Sequence, residues 1–165
     1  MAILPILEVP DPRLKTISTP VESFDADLKK LVDDMFETMR EYAGIGLAGP
    51  QVHEGLRLFV AGVSAGVLPD ALSDAADMPF VTLINPEVTF VGPPDKTGWE
   101  GCLSIPDMRG LVPRAAEIRV QAYDRTGKPL AFGASGLPAR VIQHETDHLD
   151  GVLFFDRMAS LDTLT

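Results

Sequence analysis

The chain has 165 residues, and its 14 Lys plus Arg stand against 24 Asp plus Glu, a formal charge of -10. With 45% hydrophobic and 23% charged residues it has the composition of one globular domain over residues 1–165, which excludes a disordered acidic chain and a fibrous repeat. The negative excess argues against wrapping a nucleic-acid backbone or lying on an anionic membrane, and no apolar run of about eighteen residues is present to span a bilayer.

The first residues, MAILPILEVPDPRLK, lack a positive segment before the apolar stretch and are broken by Pro5, Pro10 and Pro12, so neither a signal peptide nor a transit peptide is expected. From 23 to 42, Leu28, Leu31, Val32, Met35, Phe36, Met39 and Tyr42 recur at helical spacing, with Asp27, Lys29, Lys30, Asp33, Asp34 and Glu41 mostly opposite. This predicts an amphipathic helix capped by Ser23 or Asp25 and ended by Gly44 and Gly46. The glycines open a loop reading GIGLAGPQ.

Strand patterns follow at 57–63, 80–84, 87–91, 118–123 and 130–132, separated by Pro, Gly and Asp turns. Residues 64–78, rich in Ala, Gly, Ser and Asp, read as an excursion between strands. Residues 137–149 read as a second helix, opened after Gly136 and closed by Gly151, with Val141, Ile142 and Leu149 available for burial. Two helices and several short strands without βαβ alternation predict an α+β domain with mostly antiparallel short sheets. The glycine loops match neither a Walker loop nor a dinucleotide fingerprint, so no nucleotide cofactor is expected.

The second helix contains His144-Glu145-Thr146-Asp147-His148. Four residues turn a helix by about 400°, so both imidazoles leave one face about 40° apart, within reach of a single metal ion. Glu145 lies beside the first of them, where it can take a proton from water activated by the ion. The pattern also arises by chance, but a buried pair of imidazoles needs polar partners, and a metal satisfies both at once. A catalytic metal wants a third protein ligand, and Cys102, the single cysteine, in Trp-Glu-Gly-Cys-Leu-Ser-Ile-Pro, is the candidate. A lone thiol is otherwise a small buried hydrophobe, and one cysteine makes no internal disulfide, as expected in a reducing compartment. The chain is therefore read as cytoplasmic.

Three separated motifs, GIGLAGPQ at 44–51, EGCLS at 100–104 and QHETDHLDG at 143–151, resemble in order and spacing those of the peptide deformylases, and the similarity runs from PDPRL to LFFD. The resemblance implies short, mostly antiparallel sheets packed around a central metal-binding helix. It implies that Cys102, His144 and His148 hold one divalent ion, Fe(II) in the working enzyme with Zn(II), Ni(II) or Co(II) as substitutes. It also implies hydrolysis of the formyl group from N-formylmethionyl peptides with release of formate. Glu145 would move protons between the attacking water and the leaving amine, and Gln51 with the backbone N–H of Leu103 would bind the oxyanion. Ile45, Gly46 and Gly101 would bind the peptide, with Ile45, Val141 and His144 around its methionine. Arg109 would contact substrate or brace its loop, and Arg114 with Asp147 would form an ion pair supporting the metal helix.

Gly49 stands where the family commonly has a second alanine. Some relatives dock on the ribosome through a basic C-terminal helix, and the acidic SLDTLT makes docking by that route unexpected; a monomer is expected. Trp99 and His53 read as a core or lid aromatic and a solvated loop residue. Two rivals remain: a zinc peptidase, although no His or Glu follows His148 to serve as third ligand, and an inactive formyl-peptide binder, although every expected catalytic residue is present.

Overall fold

The computed structural model describes residues 2–67, 69–74 and 78–165. Among them are helices α1 (Ala26–Glu41) and α2 (Gly136–Leu149) and strands β1 (Gly46–Ala48), β2 (Leu58–Ala61), β3 (Ala71–Leu72), β4 (Val81–Phe90), β5 (Lys96–Cys102), β6 (Ile105–Arg114), β7 (Glu117–Tyr123) and β8 (Pro129–Ser135). A six-stranded sheet runs in the order β1-β2-β4-β7-β8-β3, and β5 and β6 form a separate two-stranded sheet. Its pairings are antiparallel apart from β3 with β8, so the mixed architecture of two helices and small, mostly antiparallel sheets agrees with the sequence reading. No helix of the described residues is long and apolar enough to cross a membrane.

Strand β2 shows why two helices are needed. Its four residues alternate between two cores: Leu58 and Val60 pack with Val32, Met35 and Met39 of α1, while Phe59 and Ala61 pack with Ile142 and Leu149 of α2. Each helix therefore covers one face of the sheet. A third cluster, of Leu7, Leu14, Ile105, Val112, Leu153 and Phe154, lies under the β5–β6 hairpin.

Several boundaries differ from the sequence reading. Helix α1 starts after Asp25, whose carboxylate accepts from the N–H of Leu28 at 3.0 Å; Ser23 lies outside it. It ends before the glycines, because Ala43 takes the left-handed φ of 54° and the Gly44 N–H closes on the Met39 carbonyl at 2.9 Å. Tyr42 is half-exposed at that end, and Asp34 is buried, held by the N–H of Ala2 and the Lys30 ammonium. The patterns at 80–84 and 87–91 belong to one strand, β4, broken by a register shift at Asn85-Pro86; Asn85 has φ 51° and its side chain bonds both backbone groups of Val21.

The excursion at 64–78 is described only in part, and its residues 71–72 add the parallel strand β3. The glycine loop is more ordered than its composition suggests: 46–48 pair with β2, and Gly49–Val52 make a 3-10 turn. Finally, the segment around Cys102 is a hairpin strand, where no strand was expected.

Candidate metal centre

Three elements converge on one point. Helix α2 presents His144 and His148, β5 ends on Cys102, and the turn after β1 brings in Gln51. One ligand atom each from Cys102, His144 and His148 fall within 4.8 Å of one another. The Cys102 Sγ is 3.3 Å from His148 Nε2, and the imidazole ring centroids are 5.0 Å apart. The predicted ligand set is thus assembled from two elements 42 residues apart at the nearest, Cys102 and His144.

The surroundings suit a cation. His144 Nδ1 contacts Glu100 Oε1 at 2.9 Å, which leaves Nε2 directed at the cluster, the arrangement in which a carboxylate fixes a ligating imidazole. Burial opposes a charge on His144, but the Cys102 thiol and the Glu100 and Glu145 carboxylates outweigh it and raise its basicity well above the ordinary range. The same negative surroundings attract a metal. Burial lowers His148 well below the usual imidazole value, so it is neutral and able to ligate. Among the described residues, the buried His148 Nδ1 and Glu145 Oε1 have no hydrogen-bond partner, and a soft-plus-imidazole donor set of S, N and N fits a divalent transition metal.

Glu145 is buried behind β1, and its carboxyl is pushed up to about 7 by that burial, with Glu100 adding to it and His144 and Arg114 pulling against it. Its neighbour explains Gly46: a Cβ there would lie 2.6 Å from Glu145 Oε2. Gln51 is fully buried. Its Oε1 accepts from the Ala48 N–H at 2.9 Å, while Nε2 donates to Ser104 Oγ at 3.0 Å and to Cys102 Sγ at 3.5 Å, so its amide faces the thiol.

Beside the cluster opens a cavity of about 650 Å³. Ile45, Gly46, Gly101, Leu103, Arg109 and Val141 all line it, together with Cys102, His144, Glu145 and Gln51. Every residue expected to act on substrate is therefore gathered at one opening, whose walls are mainly apolar. Arg109 lies over the Trp99 ring, 5.3 Å from its centroid, so the indole is a half-exposed wall of the cavity rather than part of the core. His53 is exposed, as expected, with its Nδ1 2.8 Å from Arg13 Nη1. Arg114 and Asp147 do pair, at 2.5 Å.

That pair is half of a larger network. Arg114 also grips Glu100 with two bonds of 2.9 Å, Arg140 reaches Glu100 at 2.7 Å, and Arg157 joins Asp147 at 3.0 Å. Burial would raise the Glu100 carboxyl, but the bonds from Arg114 and His144 hold it at about 2. Burial likewise opposes the Arg114 charge, and Glu100 and Asp147 more than restore it. Glu100 and Arg140 had no role from sequence alone. The only signals were position: a carboxylate two residues before the thiol, and a guanidinium one helical turn before His144.

Known proteins are similar to this chain in sequence and in backbone. The model of the polypeptide deformylase family matches residues 3–163. A peptide deformylase of Chromohalobacter salexigens is 48% identical over 161 residues, which cover 98% of this chain and 89% of that protein. The crystal structure of peptide deformylase from Thermotoga maritima superposes with a TM-score of 0.86 at 37% identity, covering 97% of this chain and all of that one. A class I type b peptide deformylase from Acinetobacter baumannii, solved with Met-Ala-Ser bound, gives 0.85 at 34% identity over 95% of this chain and 99% of that one. Since sequence and backbone agree along nearly the whole length, this chain belongs to the polypeptide deformylase family.

Proposed function

We propose that the protein removes the formyl group from N-formylmethionyl peptides, with Cys102, His144 and His148 holding the metal and Glu145 moving the protons. The observation that carries this reading is the convergence of that thiol, two imidazoles and a buried carboxylate, with a mainly apolar cavity opening beside them. Fe(II) is the ion assigned by family resemblance, and the same donors accept Zn(II), Ni(II) or Co(II). A bound divalent ion supplies Lewis acidity and makes water nucleophilic near neutral pH.

The peptide lies in the cavity as an extended strand against Ile45 and Gly46 on one side and Gly101 on the other, with its methionine side chain against Ile45, Val141 and the His144 ring. Arg109, stacked on Trp99, borders the path of the following residues. Glu145 Oε1, free of other partners, accepts the proton of the attacking water. The Gln51 amide and the Leu103 N–H donate to the developing oxyanion. Glu145 then returns its proton to the amine nitrogen as the C–N bond breaks and formate leaves. Arg114 and Asp147 hold α2 in place for these steps.

The Met-Ala-Ser seen in the Acinetobacter relative is the peptide that deformylation of formyl-Met-Ala-Ser would leave, which supports this substrate class. In this reading α2 is the central, metal-binding helix of one catalytic unit, working as a monomer in the cytoplasm without direct nucleic-acid binding. Formate release from formyl-Met-Ala-Ser, with acetyl-Met-Ala-Ser as control, tests it. Turnover of the formyl peptide alone supports deformylation; cleavage of a peptide bond supports the zinc-peptidase alternative instead.

A further inference from the structure

The ligand cluster depends on two elements that share no sheet: the hairpin β5–β6 carries Cys102, and α2 carries both histidines. Something must fix one against the other to within a fraction of an ångström. Arg114 grips Glu100 most strongly, but both lie within the hairpin, so that pair only braces the hairpin itself; its bond to Asp147 reaches α2 beyond Glu145. Arg140 lies on α2, one turn before His144, and its side chain is largely buried. From there its guanidinium reaches both strands of the hairpin: Nη1 donates to Glu100 Oε2 at 2.7 Å and to the Val112 carbonyl at 2.9 Å, and Nη2 donates to the Lys96 carbonyl at 2.6 Å.

Glu100 in turn contacts His144 Nδ1 through its other oxygen, so Arg140 and His144, four residues apart on one helix face, straddle a single hairpin carboxylate. Gly98 makes this possible. A Cβ there would lie 3.0 Å from the guanidinium carbon, where the planar group now crosses the strand.

From these contacts we propose that Arg140, seated against Gly98, is a positioning residue for the metal centre: it clasps the hairpin to α2 and sets Glu100 on His144, which fixes the distance between Cys102 and the histidines. The inference rests on the metal-centre reading above. A flexible or displaced clasp leaves all three ligands present but badly aligned.

The test compares wild type, Arg140→Leu, Arg140→Lys and Gly98→Ala, each loaded with Co(II). The readings are the visible absorption bands, the affinity by competition with a chelator, and kcat and KM for formyl-Met-Ala-Ser. Arg140→Leu and Gly98→Ala should both change the bands, weaken metal binding about tenfold or more, and lower kcat with little change in KM. Arg140→Lys should recover part of each effect, because an ammonium reaches one acceptor and not all three. Gly98→Ala keeps the test valid if Arg140→Leu fails to fold, since the atoms nearest its methyl belong to the guanidinium of Arg140, which must move aside by a few tenths of an ångström while the hairpin backbone stays in place. Wild-type bands and affinity in Gly98→Ala and in any folded Arg140→Leu would overturn the inference, as would a change confined to KM. A wild-type protein that takes up no Co(II) would instead overturn the metal centre and the clasp with it.

Discussion

At the scale of single residues, the site is built from groups whose burial only makes sense together. A half-buried thiol, two buried imidazoles and two buried carboxylates would each cost free energy alone, but Glu100 meets three cationic or N–H partners and the Cys102 thiol lies 3.3 Å from His148 Nε2. Replacing the soft ligand is the sharpest residue-level test. Cys102→Ser leaves a hydroxyl that does not ionise near neutral pH, so chelator competition should show metal binding weakened about tenfold or more, with formate release reduced in parallel. Normal metal content and rate in that variant would remove Cys102 from the ligand set.

At the scale of elements, β1 earns its place by what it lacks. Gly46 lets the strand run against Glu145 with no side chain between, and Gly46→Ala would set a methyl 2.6 Å from Oε2. That methyl would also lie 2.8 and 2.9 Å from Cδ and Cγ, so the Glu145 side chain as a whole must shift, which misplaces the proposed proton carrier without breaking a backbone contact of β1. An expected drop in kcat of about 100-fold, the size of effect an ångström of misplacement produces, should come with unchanged metal content. Unchanged kcat would show that Glu145 is not held by β1. This strand was hidden in the sequence because Gly44, Gly46 and Gly49 around it read as a loop; its three residues form a strand only by pairing with β2.

The β5–β6 hairpin was hidden for a similar reason. Gly98 and Gly101 on one strand and Pro106, Gly110 and Pro113 on the other suppress strand propensity, and an isolated two-stranded sheet tolerates them because edges need not be paired. The helices were legible because their periodicity is local. The spacing of His144, Glu145 and His148 exposed the metal face, whereas Glu100 and Arg140 acquire their roles only from the packing of hairpin on helix.

On the scale of the whole molecule, the surplus of acid has a consequence for stability. Arg114 and His144 hold Glu100 at about 2, the Lys30 ammonium lowers Asp34, and Lys15 lowers Asp156 against its partial burial. A carboxylate bound more tightly in the folded state stabilises it above the unfolded pKa, and that contribution is lost as pH falls towards the folded value. The metal-free protein should therefore lose thermal stability between pH about 4.5 and about 2, mainly through Glu100, since the exposed lysine pairs are screened. Glu100→Gln should flatten that slope in unfolding experiments. A Tm that stays level across this interval in the metal-free wild type would show that the buried network adds no net stability.

The whole arrangement, with two cores holding a sheet between helices and a hairpin latched onto one of them, brings the three proposed ligands and the proposed base Glu145 together beside a cavity. Glu145→Ala separates the two tasks. Metal content and formate release from formyl-Met-Ala-Ser, measured on one preparation of that variant beside wild type, test the claim most directly. The predicted result is about one metal ion per chain in both, with turnover in the variant lower by about 100-fold or more. Retained turnover would contradict the assignment of Glu145 as the proton carrier, and lost metal would contradict the assignment of Cys102, His144 and His148 as a ligand set sufficient by itself.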